Sequence, residues 1–101
     1  NRYAQRSTLP DFDAREPLDD VTLLGLWAWG EAEFLQRTEG SAIRRIGFER
    51  WQRNLAVALG NAYRAATEAQ TQRDISHALS MRRASATPMV REHIDWALEQ
   101  H

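Results

Sequence analysis

The chain has 101 residues, a formal net charge of −1 and no cysteine, which fits one small domain with a modest core and excludes disulfides, a thiolate nucleophile and any cysteine-ligated zinc or iron–sulfur centre. No apolar run approaches the roughly 20 residues a bilayer demands, and no charged-then-apolar leader opens the sequence, so a soluble, cytoplasmic chain is expected. All thirteen cations are Arg, which codon usage in a GC-rich genome explains as readily as bidentate phosphate recognition does.

Residues 1–18 hold Pro10, Pro17 and several acids without a sustained apolar period, and are expected to form an extended connector, with one helical domain over 19–101. Asp19 or Asp20 caps a first helix, whose apolar positions Val21, Leu24 and Ala28, widened by Leu23 and Trp27, recur at three- and four-residue spacing until Gly30 ends it. A short second helix comes next, with Glu31 and Glu33 in the first turn, Phe34 and Leu35 as its buried residues and Gly40 as its stop. Ser41 caps a turn from Ala42 to Ile46, and Gly47 separates it from the strongest helix, Phe48 to about Ala62. At about 100° per residue, Phe48, Trp51, Leu55, Ala58, Leu59 and Ala62 share one face of that helix, with Arg50, Arg53, Asn54 and Asn61 on the opposite side. The Ala- and Gln-rich run from Tyr63 to Gln72 gives no sharp boundary; beyond it a helix from about Gln70 to Arg83 sets Ile75, Ala78, Leu79 and Arg82 along one side. Thr87 and Pro88 supply a cap and a first-turn proline for the last helix, which runs to about Gln100 with Val90, Ile94, Ala97 and Leu98 inward.

No alternation competes with this pattern, so the fold class is all-α. Trp51, Leu55, Ala58 and Leu59 recur 39 positions later as Val90, Ile94, Ala97 and Leu98, a period that suits HEAT-like helix pairs. The expected architecture is therefore five to six short helices in a small right-handed solenoid with a concave surface for a long partner.

Charge is unevenly spread. Residues 40–64 hold five Arg against one acid, whereas 1–39 hold four against eight and 65–101 four against five. Arg44, Arg45, Arg50, Arg53, Asn54 and Asn61 thus form a basic, amide-bearing cluster whose local counter-charge is Glu49. Guanidiniums grip phosphate oxygens bidentately, Asn adds hydrogen bonds, and the turn opening at Gly40, Ser41 and Ala42 offers amides to an anion. A nucleic-acid backbone is the natural ligand. Nothing comparable suggests catalysis: His77, His93 and His101 are isolated, Asp74 with His77 and Glu92 with Asp95 read as surface pairs, and Ser76 and Ser80 lack a base and its orienting partner. Trp27, Trp51 and Trp96 lie on or near helix faces assigned to the core; Trp29, beside Gly30, is open to either role.

The stretch EGSAIRRIGFERWQRNLAVALGN, Glu39 to Asn61, resembles the characteristic C-terminal region of epoxyqueuosine reductases, with its G-S-A-I-R-R and R-N-x-A-V-A-L-G-N elements. Leu18 to Arg37, through Trp29, Phe34 and Leu35, is similar to that family's preceding helical hairpin, and Thr87 to Gln100, with VREHIDWAL, to its closing HEAT-like helix. Asn1-Arg2-Tyr3-Ala4 looks like the residues just after the family's last cluster-ligating Cys-Pro-Trp, while about 62 to 72 departs in composition and length. The resemblance implies an oxidoreductase that reduces epoxyqueuosine to queuosine at the tRNA wobble position with cobalamin and two [4Fe–4S] clusters. It places those cofactors and the catalytic carboxylate in upstream domains and leaves this part, expected to be monomeric, to grip the anticodon stem-loop. Ser41, Arg44, Arg45, Arg50, Arg53, Asn54 and Asn61 are the expected tRNA-contacting residues. The rival expectations are a HEAT-like protein–protein module, and duplex-DNA binding of the kind seen in alkylpurine DNA glycosylases, which use similar repeats.

Overall fold

A computed structural model describes residues 19–100; the connector expected over 1–18 lies outside the described residues. Five α-helices and one 3₁₀ turn succeed one another in order: α1 (Asp20–Trp27), α2 (Glu31–Arg37), the 3₁₀ turn (Ala42–Ile46), α3 (Gly47–Ala65), α4 (Ala69–Arg83) and α5 (Pro88–Leu98). The described part is all-α.

The helix α1 starts where the Thr22 amide donates to the Asp19 carboxylate at 2.8 Å, a bond that holds the Asp19 carboxyl below its usual range. Its buried residues are Leu23, Leu26 and Trp27, whereas Val21 is 73% exposed and Ala28 is exposed, so the expected face is corrected. The reason is that α1 is apolar on nearly every side, which leaves periodicity without a face to select. Tertiary contacts set its rotation instead: the Trp27 indole N–H donates to the Ala78 carbonyl at 2.9 Å, and an Arg82 Nη2–H donates to the Ala28 carbonyl at 2.8 Å.

In α2, Phe34 is fully buried but Leu35 is 38% exposed, a second correction. Two turns of helix that rest on one neighbour bury a single position, and Phe34 takes it, its ring 5.1 Å from Trp51 and 5.8 Å from Phe48. Thr38 is next, fully buried, its hydroxyl donating to the Phe34 carbonyl at 2.6 Å. Gly40 (φ +79°) and Gly47 (φ +86°) then bracket the 3₁₀ turn, both in the left-handed region that side chains resist.

The long helix α3 touches every other described element and carries the centre of the core, Trp51, Leu55, Ala56 and Leu59. It runs three residues past the expected end; the Tyr63 carbonyl accepts the Ala66 amide at 3.3 Å, and the Gln72 side-chain amide of α4 donates to the carbonyls of Tyr63 (3.3 Å) and Ala66 (3.5 Å). The helix α5 begins as expected: Thr87 Oγ1 accepts the Val90 amide at 3.3 Å and Pro88 occupies the first turn. It packs along α3, and Gly60 allows the approach, since a Cβ there would lie 2.9 Å from the Ala97 Cα. The two members of the 39-residue pattern are therefore α3 and α5, which bury into one shared core.

Candidate nucleic-acid interface

Because α3 buries one side, its opposite side is fixed toward solvent. In helical projection Arg50, Arg53, Asn54, Asn61 and Arg64 fall within an arc of about 100°, and they are exposed or half-buried. From Arg50 to Arg64 the stripe is about 21 Å long at about 1.5 Å per residue. Arg44 and Arg45, on the 3₁₀ turn, are exposed beside its start.

Among the described residues none of Arg44, Arg45, Arg50, Arg53 and Arg64 forms an ion pair; the two pairs found there are Arg37 with Glu33 at 3.0 Å and Arg83 with Asp95 at 2.6 Å. The stripe is also organised from within, because Arg64 Nη2–H donates to the Asn61 side-chain oxygen at 3.4 Å. Sequence reasoning missed Arg64. The signal was its position three residues beyond Asn61, obscured by ending the helix at Ala62.

Ser41 is half-buried and already engaged: its amide donates to the Thr38 carbonyl at 2.8 Å and its Oγ accepts the Ile43 amide at 3.2 Å. What it retains for a ligand is its hydroxyl proton. The surface pairs have structural partners instead, Asp74 accepting from Gln70 Nε2 at 2.8 Å and Asp95 accepting both Nε–H and Nη2–H of Arg83. Arg83 thereby holds the Asp95 carboxyl below the usual carboxylate range. His93 donates Nδ1–H to the Met89 carbonyl at 2.8 Å.

The tryptophans divide. Trp27 and Trp51 are buried as expected, and Trp29 stacks on Trp51 (5.3 Å, 13°) with the Arg37 guanidinium 5.5 Å from its ring. Trp96, assigned to the core from its helix, is 39% exposed. It sits at the margin of the α5 apolar stripe, where one face of the helix cannot enclose a side chain of that size.

Curated relatives match the chain along its full length. The epoxyqueuosine reductase of Alicycliphilus denitrificans is 56% identical over 100 residues, covering 99% of this chain and 28% of that protein. Those of Xanthomonas campestris (54%, 100% of this chain, 26% of that protein) and Escherichia coli (50%, 99% and 24%) agree. The chain is homologous to one segment of epoxyqueuosine reductase. It spans about a quarter of the length of these reductases. No family model matches the chain, and no solved structure matches it. Among the described residues no helix is long and apolar enough to cross a membrane. The chain has no cysteine, so its residues do not fit an iron–sulfur cluster.

Proposed function

We propose that this chain is the substrate-gripping helical part of an epoxyqueuosine reductase and that its Arg/Asn stripe holds the sugar–phosphate backbone of a tRNA anticodon stem-loop. The observation that supports this most is the stripe itself: five guanidiniums, Arg44, Arg45, Arg50, Arg53 and Arg64, without an ion pair among the described residues. Arginines left without carboxylates on one side of a chain whose net charge is −1 suit a polyanion. A groove for a protein helix would present apolar anchors; this stripe presents Arg and Asn around Val57. Backbone contacts of this kind position an RNA by its shape and charge.

In this reading the helix pairs form a short HEAT-like stack, positioned C-terminally. The reduction of epoxyqueuosine, the cobalamin and the two [4Fe–4S] clusters belong to the remaining three quarters of the protein, which would also pack against this part. Ser41 contributes its hydroxyl, and Asn54 and Asn61 their amides, beside the guanidiniums.

A titration with an anticodon stem-loop at several salt concentrations tests the proposal. Replacing Arg44 or Arg53 by Ala should weaken binding and reduce the slope of log K against log salt by about one unit per lost phosphate contact. Unchanged affinity and slope in both variants would rule the stripe out.

A further inference from the structure

Trp96 leaves a large indole surface in solvent, and its position is unusual for a side chain of that kind. A Cβ on Gly60 would stand 2.7 Å from Trp96 Cζ3, so the ring lies directly over the glycine on α3. Gly60 is seven residues after Arg53 and four before Arg64, spacings that put all three on one side of a helix. In projection Arg53 and Arg64 are about 20° and 40° from Gly60, on the side of the exposed stripe. The glycine is thus a seat that lets an aromatic ring rest against the edge of the cationic surface.

The neighbours of Trp96 three and four residues away include Glu92 on α5 and Glu99 at its C-cap, both exposed. An anionic backbone is repelled from that side and attracted to α3. A strand tracking Arg53 and Arg64 would therefore run beside the indole, where an unpaired base turned toward α5 could meet it. Guanidiniums for phosphates next to an open aromatic face is the pairing by which single strands are held with little regard to sequence.

We infer that Trp96, seated on Gly60 at the edge of the arginine stripe, is a stacking platform for an unpaired nucleobase of the bound RNA. This rests on the proposed backbone contacts and adds what they lack, a preference for looped or single-stranded RNA over duplex.

The test uses the intact protein with two RNA probes, a stem-loop with an unpaired loop and a fully paired duplex of equal length. Trp96→Leu keeps an apolar side chain of moderate size but removes the aromatic face; Trp96→Phe keeps an aromatic face. Trp96→Leu should weaken stem-loop binding about 5-fold or more and leave duplex binding and the salt slope unchanged, with Trp96→Phe restoring most of the loss. Equal stem-loop affinity in Trp96→Leu and the parent, or parallel loss for both RNAs, would overturn the platform. Failure of the underlying reading looks different: the parent would bind neither probe, or Arg53→Ala would bind both as the parent does.

Discussion

Gly60 has the least side chain of any residue and one of the most constrained positions. A helix interior favours Ala over Gly by about 1 kcal/mol, but an added methyl would meet the Ala97 Cα and Cβ at 2.9 Å and the Trp96 ring at 2.7 Å. Backbone of a packed helix yields little, and overpacking of this kind costs about 1–3 kcal/mol. Gly60→Ala should therefore lower the urea midpoint despite its better helix propensity; a raised midpoint would mean that α5 slides away freely. Asp95 makes a prediction in pH. Because Arg83 depresses its carboxyl in the folded chain, their pair contributes stability that is fully present above the ordinary carboxylate value of about 3.9 and is lost as pH falls through the lowered folded value. Asp95→Asn should melt below the parent at neutral pH, with the gap narrowing as pH drops under about 4 in thermal melts monitored by circular dichroism.

Elements owe their boundaries to a few local bonds, which is why most of them were legible in the sequence. Asp19 or Asp20 and Thr87 read as caps and Pro88 as a first-turn proline; the caps are Asp19 and Thr87, with Pro88 in the first turn of α5. Thr87→Ala should reduce stability by about 1 kcal/mol through loss of the bond from the Val90 amide, measurable by urea unfolding. The amphipathic face of α3 was equally plain, since its Arg and Asn positions contrast with Trp51, Leu55 and Leu59. Orientation failed where that contrast was missing. In α1 no polar side marks the outside, so periodicity does not single out Leu26 and points the exposed Val21 inward. The end of α3 is hidden in the sequence by its Ala-rich run, and part of what closes it, the Gln72 side chain, comes from the next helix. Trp96 was misplaced for a related reason: its exposure depends on how α5 lies over Gly60, which no single helix encodes.

At the scale of the molecule, a net charge of −1 would suggest indifference to polyanions, yet five of the thirteen arginines, Arg44, Arg45, Arg50, Arg53 and Arg64, fall in one short stretch. For the proposed RNA binding, location rather than total charge should govern affinity. Arg73→Ala, on α4 where the guanidinium donates to Gln70 at 3.0 Å, removes the same charge as Arg53→Ala. It should leave the salt slope of stem-loop binding unchanged while Arg53→Ala lowers it; equal effects would mean that only overall charge matters. Elsewhere the helices are held by bonds of a different kind. The tie between α1 and α4 runs from the Trp27 indole to the Ala78 carbonyl and from the Arg82 guanidinium to the Ala28 carbonyl. Both acceptors are peptide oxygens, which every amino acid possesses. Mutational drift at 28 and 78 therefore leaves the latch intact so long as the replacement fits, and the burden of preserving it falls on the two donors alone.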